Sequence, residues 1–258
     1  MDTFNLGLSG KVAVITGASE GLGRATAERF ARCGAKVAMC ARRQAVLASA
    51  AEQIQQMTGA DIFAMPCAVT QPAEVEAFVT ATVARWGGVD ILVNNAGTSA
   101  AAAFVDVTDA QWQADLDLKL MAAVRFCRLT IPHMQRRGGG RIVNVTTIGG
   151  KAPAARSLPT SVTRAAGINL TKSLATEYAV DKILVNTICL GVAKSAQWER
   201  RKGPEAEAHR SQVEKRIPLG RFGEAEEFAD LVAFLCSDRA AYITGTAINF
   251  DGGMSATV

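Results

Sequence analysis

Short apolar, β-rich runs alternate with helical-period segments from one end of this 258-residue chain to the other. That alternation constrains the fold more than any other feature. Strands separated by helices pair in parallel, and a parallel sheet must be covered by helices on both faces. The candidate strands are Lys11–Thr16, Lys36–Cys40, Asp61–Met65, Val89–Val93, Arg141–Val145, Ile183–Ile188 and Thr246–Phe250. Helical segments lie near Gly21–Cys33, Gln44–Met57, Pro72–Trp86, Asp109–Met134, Thr163–Tyr178 and Glu224–Cys236. The links are short, and no Pro/Ser-rich linker, repeat or low-complexity stretch divides the chain, so residues 1–258 read as one α/β domain. The exception is Val192–Gly220, an irregular connection long enough to be a lid or substrate segment. Its charges, with Trp198 among them, fit a solvated helical lid. On a second reading, Arg200, Arg201 and Lys202 attract an anionic substrate. Ala100–Ala103 is a small apolar patch expected in a loop packed on a helix.

Composition excludes several classes. With 49% hydrophobic and 20% charged residues, the chain matches a globular protein and not a disordered or collagen-like one. The net charge of +4 comes from scattered basic residues without interleaved aromatics, which is no nucleic-acid footprint. Cys33, Cys40, Cys67, Cys127, Cys189 and Cys236 are widely spaced and form no C-x-x-C pair, so they read as reduced core residues, with no metal site. Met1–Gly10 has the pattern of neither a signal nor a transit peptide, and no run reaches the length of a membrane span. A cytoplasmic location is expected.

Thr16-Gly17-Ala18-Ser19-Glu20-Gly21-Leu22-Gly23 follows a strand and opens a helix. Glycines there permit a tight turn and close backbone approach, while the helix N-terminus offers unpaired N–H groups to a pyrophosphate. The spacing is G-x-x-x-G-x-G and not the general G-x-G-x-x-G. An acid about 20 residues beyond such a turn bonds the adenosine ribose 2′-hydroxyl, whereas arginine accommodates a 2′-phosphate. The second strand ends Cys40-Ala41-Arg42-Arg43, without an acid. Arg42 and Arg43 therefore predict NADP(H) over NAD(H).

Together with Asn94-Asn95-Ala96-Gly97, Leu170-Thr171-Lys172-Ser173-Leu174-Ala175 and Asp251-Gly252-Gly253, the turn resembles the short-chain dehydrogenase/reductase family along nearly the whole chain. The resemblance implies a doubly wound Rossmann domain, its seven-stranded parallel sheet in the order 3-2-1-4-5-6-7, and usually a homodimer or homotetramer. Its interfaces would be the helices near 109–134 and 163–178. It also implies cofactor contacts at Gly17, Ser19, Glu20, Gly21, Leu22, Gly23, Asn95, Ala96, Gly97, Gly191 and Ser195. Ala68 and Val69 fall where the family holds the adenine, with Ala68 in place of an Asp; Leu190-Gly191 replaces Pro-Gly after the sixth strand.

The family's proton-relay tetrad is Asn, Ser, Tyr and Lys. By the same resemblance, Lys119, Thr147, Thr160 and Arg164 occupy those positions, so all four are changed. The chain has only two tyrosines, Tyr178 and Tyr242, and no shift of register restores a phenol. A phenol ionises near about 10, while an aliphatic hydroxyl holds its proton far more tightly, about as tightly as bulk water. The difference is on the order of 7–8 kcal/mol. Arg164 stays protonated and cannot relay a proton. What remains suits an anion or a developing oxyanion such as a carboxylate, enolate or acyl thioester, with Lys119 as the acid/base candidate. Alternatively, Lys119 faces solvent or a neighbouring subunit. The expected activity is NADP(H)-dependent redox chemistry on a carbonyl or secondary alcohol by a non-standard proton route. Two other readings are aldolase- or lyase-like enolate chemistry and a catalytically inactive nucleotide-binding subunit.

Overall fold

The computed structural model describes residues 5–194, 198 and 203–258. Seven parallel strands form one sheet in the order β3-β2-β1-β4-β5-β6-β7. They are β1 (Val12–Thr16), β2 (Lys36–Ala41), β3 (Ile62–Pro66), β4 (Ile91–Asn94), β5 (Gly140–Thr147), β6 (Ile183–Leu190) and β7 (Ala247–Phe250). The helices are α1 (Gly21–Arg32), α2 (Gln44–Thr58), α3 (Pro72–Trp86), α4 (Asp109–Leu116), α5 (Ala122–Arg136), α6 (Thr160–Tyr178), α7 (Pro204–Glu214) and α8 (Ala225–Leu235). No helix among the described residues is long and apolar enough to cross a membrane.

The strands read as continuous apolar runs because both sheet faces are buried. Successive residues point to opposite sides. Ala13 and Ile15 join Phe30, Leu47, Ile54, Phe228 and Val232 on one face, while Val14 joins Val75, Phe78, Phe126 and Ala175 on the other. Five of the six cysteines are buried and Cys33 is half-buried; all are free.

Three departures from the sequence reading matter for the site. The segment expected as one helix over Asp109–Met134 is broken by a π-helical turn at Asp117–Met121. Such turns carry nearly helical apolar spacing, which hides them from periodicity, and they occur frequently at functional sites. Next, α6 begins at Thr160 and not at Thr163, so Thr160 and Arg164 are one helical turn apart on the same face. Finally, the long connection, for which no helix bounds were read from the sequence, contains α7, a helix with no buried residue, as its reading as a solvated helical lid expects. Ser195, Arg200, Arg201 and Lys202 lie outside the described residues.

A buried polar chain fixes α6 over the sheet. Asn94 Nδ2 donates to Asn144 Oδ1 at 2.8 Å, and Asn144 Nδ2 donates to Thr171 Oγ1 at 2.9 Å. Thr171 Oγ1 is in turn 2.5 Å from Thr187 Oγ1. Buried polar groups that satisfy one another specify a packing register, and this one sets the first turn of α6 beside the end of β5.

Candidate active site

A cleft of about 710 Å³ opens at the C-terminal ends of the strands, within the usual range of about 300–1,000 Å³ for small-molecule and cofactor sites. Gly17, Ser19, Glu20, Gly21, Leu22 and Gly23 line it from the turn after β1; Arg42 and Arg43 line it after β2. Val69, Asn95, Ala96, Gly97 and Gly191 also line it, and Thr147, Thr160 and Arg164 stand in the same cleft. Cys67, Thr70, Leu118 and Trp198 line it as well, though sequence reasoning gave them no place there. Trp198 stacks on His209 with ring centroids 5.7 Å apart and meets Phe222 edge-on at 4.9 Å.

Ala68 departs from expectation. It does not line the cleft, and its N–H is taken by Glu74 Oε2 at 2.7 Å, so this backbone donor is not available to an adenine.

The glycine turn is shaped by backbone contact. Gly17 adopts φ +66°, and a Cβ on it would lie 3.0 Å from Ala96 Cα; a Cβ on Gly23 would lie 2.3 Å from the Gly17 carbonyl oxygen. Asn95 holds the turn from the neighbouring loop. Its Nδ2 donates to the Thr16 carbonyl at 2.9 Å, and the N–H groups of Asn95 and Ala96 both donate to Thr16 Oγ1 at 3.0 Å. The N-terminus of α1 has no side-chain cap, leaving its first N–H groups for an anion. Arg42 makes no ion pair among the described residues, whereas Arg43 pairs with Glu20. A turn with no room for side chains at Gly17 and Gly23, uncapped amides and a guanidinium pair together fit a dinucleotide carrying a 2′-phosphate.

At the other end lies a buried polar chain. Lys119, on the π-helical turn, is buried and does not reach solvent or the cleft wall. Its ammonium pairs with Asp115 and donates to Thr160 Oγ1 at 2.8 Å. Thr163 Oγ1 donates to the other Asp115 oxygen at 2.6 Å. The Ala100 N–H donates to Thr160 Oγ1 at 3.0 Å, so the loop expected only to pack on a helix supplies a polar contact. A hydroxyl oxygen has two lone pairs and one proton. With Lys119 and Ala100 on the lone pairs, the Thr160 proton is left to point away from both, on the side where Thr160 lines the cleft. Burial holds Lys119 below the ordinary lysine value, Asp115 pulls it back up, and Arg164 adds to the depression.

Arg164 is buried and Nη1 donates to the Val145 carbonyl at 2.7 Å. Nε has no partner, and Nη2 passes over Gly97, where a Cβ would lie 2.3 Å from it. Burial lowers the guanidinium to about 10, with Asp115 opposing, so it remains a cation at neutral pH. Between Lys119, Arg164, Asn94 and Asn144 is a cavity of about 20 Å³, enough for about one water. Thr147 ends β5 in the cleft, and its hydroxyl has no hydrogen-bond partner among the described residues. Neither tyrosine lines the cleft: Tyr242 is fully exposed, and Tyr178 packs at the far end of α6.

Asp115 was not singled out in the sequence. Its signal was the i, i+4 spacing to Lys119, which places both on one helical face, but a single acid in an amphipathic helix ordinarily marks a solvated face. Among the described residues no group of His, Cys, Asp or Glu side chains could hold a metal ion.

Residues 17–255 match the family model described as Enoyl-(Acyl carrier protein) reductase. The chain belongs to the short-chain dehydrogenase/reductase family. It is 34% identical over 247 residues to the human protein named Dehydrogenase/reductase SDR family member 4, covering 95% of this chain and 88% of the relative. Among solved structures, L-sorbose reductase from Gluconobacter frateurii, complexed with NADPH and L-sorbose, superposes with a TM-score of 0.94 at 38% identity, covering 99% of this chain and 100% of that one. A short-chain oxidoreductase from Pseudomonas aeruginosa PAO1, described as containing an atypical catalytic center, gives 0.92 at 37% identity, covering 98% of this chain and 100% of that one; its NADPH-bound form is also similar.

Proposed function

We propose that this chain is an NADP(H)-dependent oxidoreductase of a carbonyl or secondary alcohol whose proton travels from Lys119 through Thr160. The observation that carries the reading is the Lys119 Nζ–Thr160 Oγ1 hydrogen bond at 2.8 Å with the Ala100 N–H on the second lone pair. Gly17, Ser19, Gly21, Leu22 and Gly23 would hold the pyrophosphate, Arg42 and Arg43 the 2′-phosphate, and Gly97 and Gly191 the nicotinamide side. Bound there, NADPH would supply the hydride that a carbonyl carbon accepts.

The protein then has to protonate the carbonyl oxygen. Thr160 gives its hydroxyl proton to that oxygen while taking one from the Lys119 ammonium, so no threonine alkoxide accumulates and the penalty of on the order of 7–8 kcal/mol is avoided. The net acid is a lysine already depressed by burial, and matching a donor toward working pH favours proton transfer. Asp115 holds Lys119 against Thr160. Arg164 and the unengaged Thr147 hydroxyl stabilise charge developing on the oxygen, a contribution that grows in a desolvated site. In the reverse direction the same groups remove the alcohol proton.

Two neighbours support this. L-sorbose reductase was solved with NADPH and its ketose. The Pseudomonas aeruginosa oxidoreductase was solved with NADPH despite its atypical centre, so in that protein the two coexist. The 192–220 segment, with Trp198 against the cleft, acts as the substrate lid, and the chain works as a homodimer or homotetramer. The test is NADPH binding followed by fluorescence, then NADPH oxidation with a panel of ketoses, simple ketones and 3-oxoacyl thioesters. Saturable binding with turnover of at least one ketone is expected; binding without turnover across the panel would contradict the redox reading.

A further inference from the structure

We propose that Glu20 sets the coenzyme preference of this chain by competing with the 2′-phosphate for Arg43. The inference rests on the nucleotide reading above and adds a residue that works against it. β1 and β2 are neighbouring parallel strands, so the turns after them open on the same edge of the sheet. Glu20 is the N-cap of α1 and Arg43 the N-cap of α2. Both line the cleft, and an ion pair joins Arg43 Nη2 to Glu20 Oε2 across its mouth. Arg42 lines the same edge without a carboxylate partner among the described residues.

The chemistry follows from charge. A phosphate monoester brings up to about two negative charges at neutral pH. To engage both guanidinium groups it must displace the Glu20 carboxylate from Arg43 or lie beside it as a like charge, and either weakens its binding. A free ribose 2′-hydroxyl meets no such conflict, since a carboxylate accepts a hydrogen bond from it. One arginine is thus free for the phosphate and the other is shared, so the chain discriminates between NADPH and NADH less than two unshared arginines would. The pair is partly exposed, at 53% for Arg43 and 32% for Glu20, so its influence is modest and screened by salt.

The experiment measures NADPH and NADH dissociation constants by fluorescence titration of the full chain at low ionic strength, for the wild type, Glu20→Gln and Arg43→Gln. Glu20→Gln should raise the NADH-to-NADPH ratio of dissociation constants by about two- to fivefold, the span of an exposed ion pair, and Arg43→Gln should lower it. The Glu20→Gln gain should shrink as salt is added. A ratio that is unchanged or lower in Glu20→Gln would overturn the proposal while leaving the nucleotide reading intact. No saturable NADPH binding by the wild-type chain would overturn both, and that result is recognisably different.

Discussion

Replacing Thr160 by valine keeps a β-branched side chain of nearly the same shape and removes only the hydroxyl through which the relay passes. Proton transfer from a positioned group contributes about 10²–10⁴-fold to rate, so kcat for ketone reduction should fall by that factor. In free energy this is about 3–5 kcal/mol of transition-state stabilisation. The structure adds a second, smaller effect. The buried Lys119 ammonium loses one of its two acceptors, which costs about 1–3 kcal/mol and lowers the melting temperature by about 2–4 °C per kcal/mol in a chain of this size. Ala100 is an exposed residue, so its freed N–H can turn to water. Steady-state NADPH oxidation, thermal unfolding and NADPH titration together separate these effects: kcat should fall far more than coenzyme affinity, and Thr160→Ser should keep kcat within about tenfold of wild type. A folded Thr160→Val enzyme that retains nearly the wild-type rate would refute the relay.

Asp115→Asn removes the carboxylate that opposes the depression of Lys119. The lysine should then lose its proton at lower pH, shifting the high-pH fall in reduction rate downward, and the unpaired buried charge should cost about 3–5 kcal/mol of stability in thermal or urea unfolding. Gly23→Ala places a Cβ 2.3 Å from the Gly17 carbonyl oxygen. Because backbone has to shift to admit it, NADPH binding should weaken by more than tenfold in a fluorescence titration, while a distant substitution such as Gln56→Ala should leave it unchanged.

The seven strands were legible in the sequence because strands buried on both faces, such as Val12–Thr16 and Ile183–Leu190, carry apolar runs that surface segments do not; their order in the sheet came only with the family resemblance. That Gly17, Gly21, Gly23, Arg42 and Arg43 would meet in one cleft was legible for a related reason, since a glycine turn and an acid-free Arg42-Arg43 at neighbouring strand ends are local signals with local causes. The catalytic end was not. Lys119 was located by position alone, and whether it pointed inward depended on the π-helical turn at Asp117–Met121, which leaves the hydrophobic period almost unaltered. Asp115 and the Ala100 N–H are long-range partners of Thr163 and Thr160 respectively, joined only when α6 settles on the sheet. A helical lid was anticipated over Val192–Gly220, but the bounds of α7 were not, because its polar surface buries no residue and so prints no stripe. Lys119 stands behind Thr160 and does not line the cleft, so in the proposed route its proton reaches the substrate through the threonine.

The central claim, that the proton leaves a buried lysine, is tested most directly by the pH dependence of kcat/KM for ketone reduction in the wild type and in Lys119→Gln. Reduction needs Lys119 charged, and its folded value lies below that of an ordinary lysine. The wild-type rate should hold at low pH and fall as pH rises through that depressed value, while the oxidation rate rises over the same interval. Lys119→Gln, which keeps hydrogen-bonding groups near both Asp115 and Thr160 but carries no such proton, should be slower and should lose that transition. An identical profile in both proteins would contradict the account.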